Sequence, residues 1–299
     1  MNRREFNQKL FECAAFGALC GFARAASTVR STPSAVDTHS HIFQRGLKFA
    51  EGRRYTPDYD ATVDDYLDHL ASQGVSHGVL VQPSFLGTDN SYMLAALKKY
   101  PQRLRGVAVV DPASDAASLQ ALAAAGIAGI RFNLAGAPIP DFKAGLFPAL
   151  LHQVAALGWH VEVHREARDL PQIVGPLLDA GQNVVVDHFG RPDPQLGVDD
   201  PGFRYLLGTG ASRRVWVKIS AAYRNGANGR GEEIARVACP LLRDAFGPER
   251  LLWGSDWPHT QYEKLAGFSA TCAQLDQWFV QPADRSIILK DTPASLYRF

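Results

Sequence analysis

Cysteine is scarce in this chain: four residues in 299, at positions 13, 20, 239 and 272. So few thiols exclude a disulfide-stapled scaffold or a cysteine-rich metal fold. An excess of one charge is also missing. Lys and Arg number 31, Asp and Glu 30, and the formal net charge is +1. With no basic block and no aromatic stripe, nothing points to nucleic acid as a partner. No run of about 20 uninterrupted apolar residues occurs, which argues against stable membrane insertion. No glycine-rich dinucleotide fingerprint follows the first predicted strand, and this counts against an open doubly wound sheet.

What is present suits one large enzyme domain. A chain of 299 residues is long enough to bury a core without disulfides and matches the size of a single α/β barrel. The N-terminus reads Arg3-Arg4-Glu5-Phe6, then a small apolar stretch from Cys13 to Phe22, then Ala23-Arg24-Ala25. Paired arginines, an apolar region and a small-x-small site predict a twin-arginine export signal over residues 1–25, cleaved before Ala26. The expected mature protein is periplasmic and spans residues 26–299. Cys13 and Cys20 would leave with the signal. Cys239 and Cys272 fall in predicted helices and are expected as buried free thiols, although the compartment would permit a disulfide.

From Ala35 onward one rhythm repeats. Strands are predicted over Ala35–Phe43, Ser76–Gln82, Gly106–Asp111, Gly129–Asn133, His160–Arg165, Asn183–Phe189, Val215–Ser220 and Leu251–Asp256. Several are apolar up to a polar C-terminal end, as in Val184-Val185-Val186-Asp187-His188. Strands buried on both faces read this way. Helical stretches intervene and stop at glycine: Ala116–Ala125 before Gly126, Phe147–Leu157 before Gly158, Leu170–Ala180 before Gly181. Eight such units predict an α/β fold, a single (β/α)8 barrel.

The polar residues gather where a barrel does its chemistry. Strand one ends in Asp37-Thr38-His39-Ser40-His41, and alternation puts His39 and His41 on one face. Strand five ends at His164, strand six at Asp187-His188, and strand eight at Asp256. Four strands thus carry His or Asp to one rim, the C-terminal end where barrel active sites form. His69, His77 and His152 lie inside elements or at their starts and are expected to be structural. His160 begins strand five and should face the opposite end. The loop 44–61, with Arg53, Arg54, Tyr55 and Pro57, is placed to meet a substrate.

The set HSH, the strand-five His, DHFGRP at Asp187–Pro192 and WGSDWPH at Trp253–His259 resembles the amidohydrolase superfamily. More narrowly, it is similar to the branch with pyrone-dicarboxylate, sulfomuconolactone and sugar-acid lactonases. RRYTP at Arg53–Pro57, QPSFLGTDN at Gln82–Asn90, GIRFN at Gly129–Asn133 and GWHVEVHRE at Gly158–Glu166 extend the likeness along the chain. The resemblance implies a lactonase in which Asp256 is the general base and His39, His41 and His188 polarise the carbonyl, directly or through a metal. The substrate is then a small acidic lactone, held by Arg131, Arg191, Ser84 and Tyr55.

Two departures stand out. Related pyrone-dicarboxylate enzymes carry a second Arg shortly after the strand-four Arg; here Leu134–Ile139 holds no cation, which weakens the case for a dicarboxylate. Those enzymes also have Tyr where this chain has His164, and work without metal. With His164, the residues His39, His41, His164 and Asp256 form a set suited to one divalent ion, zinc by donor type. Asp187 is expected to face away from the interior, since strand neighbours point to opposite sides. A metal-dependent decarboxylase of the same superfamily is the alternative enzyme, and a non-catalytic periplasmic binding protein the alternative of another class. A homo-oligomer is compatible with the sequence.

Overall fold

A computed structural model describes residues 32–299. The predicted export signal at 1–25 lies outside the described residues. Eight parallel strands follow one another in sequence order. They are β1 (Val36–Ser40), β2 (His77–Val81), β3 (Leu104–Ala108), β4 (Ile127–Asn133), β5 (His160–His164), β6 (Asn183–Val186), β7 (Val215–Ser220) and β8 (Leu251–Gly254). The helices between them are α1 (Val63–Ser72), α2 (Ser91–Lys99), α3 (Ala116–Ala124), α4 (Phe147–Ala156), α5 (Pro171–Asp179), α6 (Pro201–Gly208) and α7 (Arg230–Phe246). After β8 come α8 (Phe268–Trp278), α9 (Pro282–Ser286) and α10 (Thr292–Tyr297). No helix among the described residues is long and apolar enough to cross a membrane.

The sheet closes on itself as the predicted (β/α)8 barrel. Beyond β8, the Asp256 amide donates to the His39 carbonyl (2.8 Å) and the His41 amide to the Trp257 carbonyl (2.7 Å). Alternation sorts the strand residues into two cores. Val36, Val79, Val81, Val107, Val185 and Leu252 form an inner cluster with Tyr297. Val161, Val163, Val184, Val186, Val217 and Ile219 pack outward with the helices. Both faces are dry, which is why these strands read as continuous apolar runs.

The expected helix stops hold. Gly126, Gly158 and Gly181 sit at φ +99°, +62° and +79° just past α3, α4 and α5, a region glycine enters without a Cβ penalty. Most strand ends shift by one to three residues from expectation, β7 alone matching at both ends. β3 begins at Leu104 and ends at Ala108, two residues earlier than its predicted start at Gly106. β6 stops at Val186 because His188 (φ 52°) and Phe189 (φ 61°) turn left-handed. His160 lies at the expected far end, its ring 5.2 Å from that of Tyr297. Cys239 is buried, Cys272 half-buried, and both are free thiols.

Candidate active site

The C-terminal mouth of the barrel collects the predicted residues. A register shift in β1 between Asp37 and Ser40 leaves His39 and His41 facing inward together, their ring centroids 5.0 Å apart. His41 Nδ1 lies 2.7 Å from the Val81 carbonyl oxygen. A carbonyl only accepts, so Nδ1 carries a proton, and Nε2 faces the site. His188 Nδ1 is 2.8 Å from Ser220 Oγ. Burial pushes the His188 imidazole down to about 3, so it is neutral.

Asp256 is fully buried in a left-handed turn (φ 59°). Its Oδ2 accepts from Tyr223 Oη and from Arg224 Nε, each at 2.6 Å. Its Oδ1 has no hydrogen-bond partner and stands 3.6 Å from both His39 Nε2 and His41 Nε2. Burial favours the neutral acid, but the Arg224 guanidinium beside it outweighs this and holds the carboxyl well below its usual range.

Two orientations correct the sequence reading. Asp187 does not face away: its Oδ1 is 3.4 Å from His39 Nδ1, and its Oδ2 accepts from Arg131 Nη2 at 2.7 Å. Asp187 still has extended backbone (φ −72°, ψ 148°) and follows the inward Val185 by two, so it points in. His188 reaches the site because its own left-handed backbone breaks the alternation. The second correction concerns the ligand set. His39, His188 and Asp256 can bring one donor atom each within 4.8 Å of the others. His164 is occupied elsewhere, its Nδ1 3.2 Å from Asn133 Oδ1 and its Nε2 accepting from Arg191 Nη1 at 3.1 Å. Among the described residues, His188 and not His164 falls in that group.

A cavity of about 160 Å³ opens above these groups, and all four predicted substrate contacts, Tyr55, Ser84, Arg131 and Arg191, line it. Four guanidinium groups reach it: Arg54, Arg131, Arg191 and Arg224. Two of them already have carboxylates. Arg131 is engaged by Asp187 and by Glu162 (3.2 Å), and Arg224 by Asp256. Arg191 is half-buried and hydrogen-bonds a neutral imidazole, and burial lowers its pKa. No carboxylate pairs with Arg54 or Arg191 among the described ion pairs. A half-buried cation in that state calls for an anion.

The amidohydrolase profile matches residues 36–299, the whole barrel. The chain belongs to the amidohydrolase family. This amidohydrolase is 37% identical over 237 residues to a 2-pyrone-4,6-dicarboxylate hydrolase of Comamonas testosteroni, covering 75% of this chain and 77% of the relative. It is 31% identical to a 4-sulfomuconolactone hydrolase of Rhizobium radiobacter, covering 92% and 94%. It also superposes on a probable 2-pyrone-4,6-dicarboxylic acid hydrolase of Acinetobacter baumannii, crystallised with citric acid bound. There the TM-score is 0.86 at 38% identity, covering 89% of this chain and all of that one.

Several residues of the amidohydrolase site escaped the sequence reading. Tyr223 and Arg224 follow β7, the strand end from which no candidate was drawn; a cation four residues past Ser220 was the available signal. Glu162 and Lys218 are single charges at inward positions of otherwise apolar strands, and both are fully buried. Arg54, by contrast, comes from the loop 44–61 that the sequence already placed to meet a substrate. Its Nη2 lies 3.5 Å from Asn133 Oδ1, and its Cδ lies 3.8 Å from where a side chain on Gly136 would begin.

Proposed function

We propose that this amidohydrolase opens a carboxylated lactone with water, Asp256 serving as general base. The observation that carries the reading is the Asp256 carboxylate, with Oδ2 fixed by Tyr223 and Arg224 and Oδ1 bare beneath a cationic pocket. Oδ1 takes the proton of a water poised against the lactone carbonyl, and the protonated acid returns it to the departing ring oxygen. Arg191 and Arg54 hold the substrate's carboxylate groups, with Ser84 and Tyr55 on the pocket wall. The gap in cations over Leu134–Ile139 does not leave that side neutral, because Arg54 lies over Gly136. The hydrolases of pyrone dicarboxylate and sulfomuconolactone among the relatives, and the citric acid in the Acinetobacter structure, support an acidic substrate.

Arg224 favours the ionised form of Asp256, the form that can accept a proton. The donors fit a divalent ion: His39 Nε2 and Asp256 Oδ1 are buried without partners, His188 completes the trio, and His41 Nε2 lies 3.6 Å from the same oxygen. An ion such as Zn²⁺ bound there would lower the water's pKa and stabilise the oxyanion.

A panel of neutral, mono- and dicarboxylated lactones, assayed by acid release with metal-loaded and chelator-treated protein, tests the reading. Turnover confined to the carboxylated members is expected; none across the panel, or release of carbon dioxide instead, would reject it. Arg191→Met is expected to raise KM for an acidic lactone about thirtyfold, the equivalent of about 2 kcal/mol for a charged contact, with kcat little changed. An equal rise for the neutral analogue would remove Arg191 from carboxylate binding. Arg3-Arg4 and the small-residue site before Ala26 support an exported, periplasmic enzyme; mature protein should begin at Ala26 on N-terminal sequencing.

A further inference from the structure

Directly beneath His39 lies a second, inner group of ionisable side chains that the reaction does not use. Glu162 on β5, Asp187 after β6 and Lys218 on β7 are fully buried, as is His39. His39, Glu162 and Asp187 can each bring one donor atom within 4.8 Å of the other two. One imidazole and two carboxylates is a donor set that takes divalent ions. The Lys218 ammonium is already among them. Its Nζ is 3.0 Å from His39 Nδ1, hydrogen-bonds Glu162 Oε2, and lies 3.7 Å from Asp187 Oδ1.

We propose that Lys218 is the resident cation of this inner trio, standing where a divalent ion would otherwise sit, so that the barrel takes at most one metal ion, at the outer trio.

The charges require such an occupant. Two buried carboxylates would be untenable alone; Lys218 and Arg131 both face them, while burial and the neighbouring Asp187 push the Glu162 carboxyl up to about 7. The trio also keeps unspent donor capacity. Glu162 Oε1 and Asp187 Oδ1 are buried without a hydrogen bond, held by charge alone across 3.2 Å to Arg131 Nε and 3.7 Å to Lys218 Nζ. An ammonium is a compact point charge on a flexible stem, and it fills a site whose ligand atoms point at it without satisfying all of them. A divalent ion entering beside it would meet a like charge at van der Waals distance in a poorly screened interior. Arg131 cannot play the same part, because its planar fork is spread along the rim between Asp187 and Glu162 and reaches the substrate cavity. His39 is shared between the trios but has a single lone pair: with Nδ1–H turned to Asp187 Oδ1 (3.4 Å) its Nε2 serves the outer trio, and with Nδ1 accepting from Lys218 it does not.

The test is metal stoichiometry. Tag-free protein is stripped with chelator, reloaded with excess Zn²⁺ or Co²⁺, freed of unbound ion by gel filtration and measured by elemental analysis. Wild type is expected to hold no more than one ion per chain; two would overturn the proposal without any variant. Lys218→Ala and Lys218→Gln are expected to hold one ion more than wild type, with a Tm that rises on adding Zn²⁺ beyond any rise in wild type. Adding Asp187→Asn to Lys218→Ala should abolish the gain. A folded Lys218→Ala that binds no more metal than wild type would overturn the proposal. A Lys218→Ala chain that folds only with Zn²⁺ present supports it.

Discussion

Asp256→Asn will leave a folded barrel with turnover down by about a hundredfold or more. The carboxylate has two oxygens with separate duties. Oδ2 is bound by two donors, Tyr223 Oη and Arg224 Nε, so the amide of the variant must turn its oxygen to that side. Its NH2 group then faces His39 and His41, where Oδ1 stood. A donor cannot take the proton of the attacking water. The steady-state rate of acid release checks the loss, and a melting curve checks that the fold survives. A variant within threefold of wild type would remove Asp256 from the chemistry and with it the proposed general base.

Arg131→Met will lower stability by about 3–5 kcal/mol, because it strands Asp187 and Glu162 without their guanidinium in the barrel interior. The sequence suggested a substrate clamp, for which the loss would be one of affinity. The structure gives Arg131 a prior engagement, at 2.7 Å to Asp187 and 3.2 Å to Glu162, with 3% of the residue exposed. A fall in Tm of roughly 10 °C is expected for a domain of this size. Denaturant titration of wild type and variant measures it. A melting point within two or so degrees, combined with a large rise in KM, would restore the clamp.

The barrel was legible because its signals are repetitive. Eight apolar runs ending in polar residues, with glycines after the helices, leave few other topologies. His39, His41 and Asp256 were legible because each ends a strand, a position that carries chemistry in a barrel. Asp187 was misjudged because the alternation rule was anchored on His188, whose left-handed backbone puts it outside the rule; anchoring on Val185 gives the right answer. His164 was assigned to a ligand set from its residue type, and only the positions of Asn133 and Arg191 show both its nitrogens to be taken. Glu162 and Lys218 were passed over because one charge in an apolar strand looks incidental until its partner, 56 residues away, is in view. Arg54 filled a gap that was judged along the sequence alone, whereas a loop supplied the charge across space.

The bonds that join β8 to β1 have a consequence for how this enzyme can be watched. The Asp256 amide is tied to the His39 carbonyl and the His41 amide to the Trp257 carbonyl, so the stitches that shut the cylinder are made by the backbone of the very residues that face the substrate. A chain with every helix formed and seven strand pairs in place still has its two imidazoles on one edge and its carboxylate on the other. Turnover during refolding is therefore expected no sooner than exchange protection of those two amides, which makes activity a reporter of barrel closure.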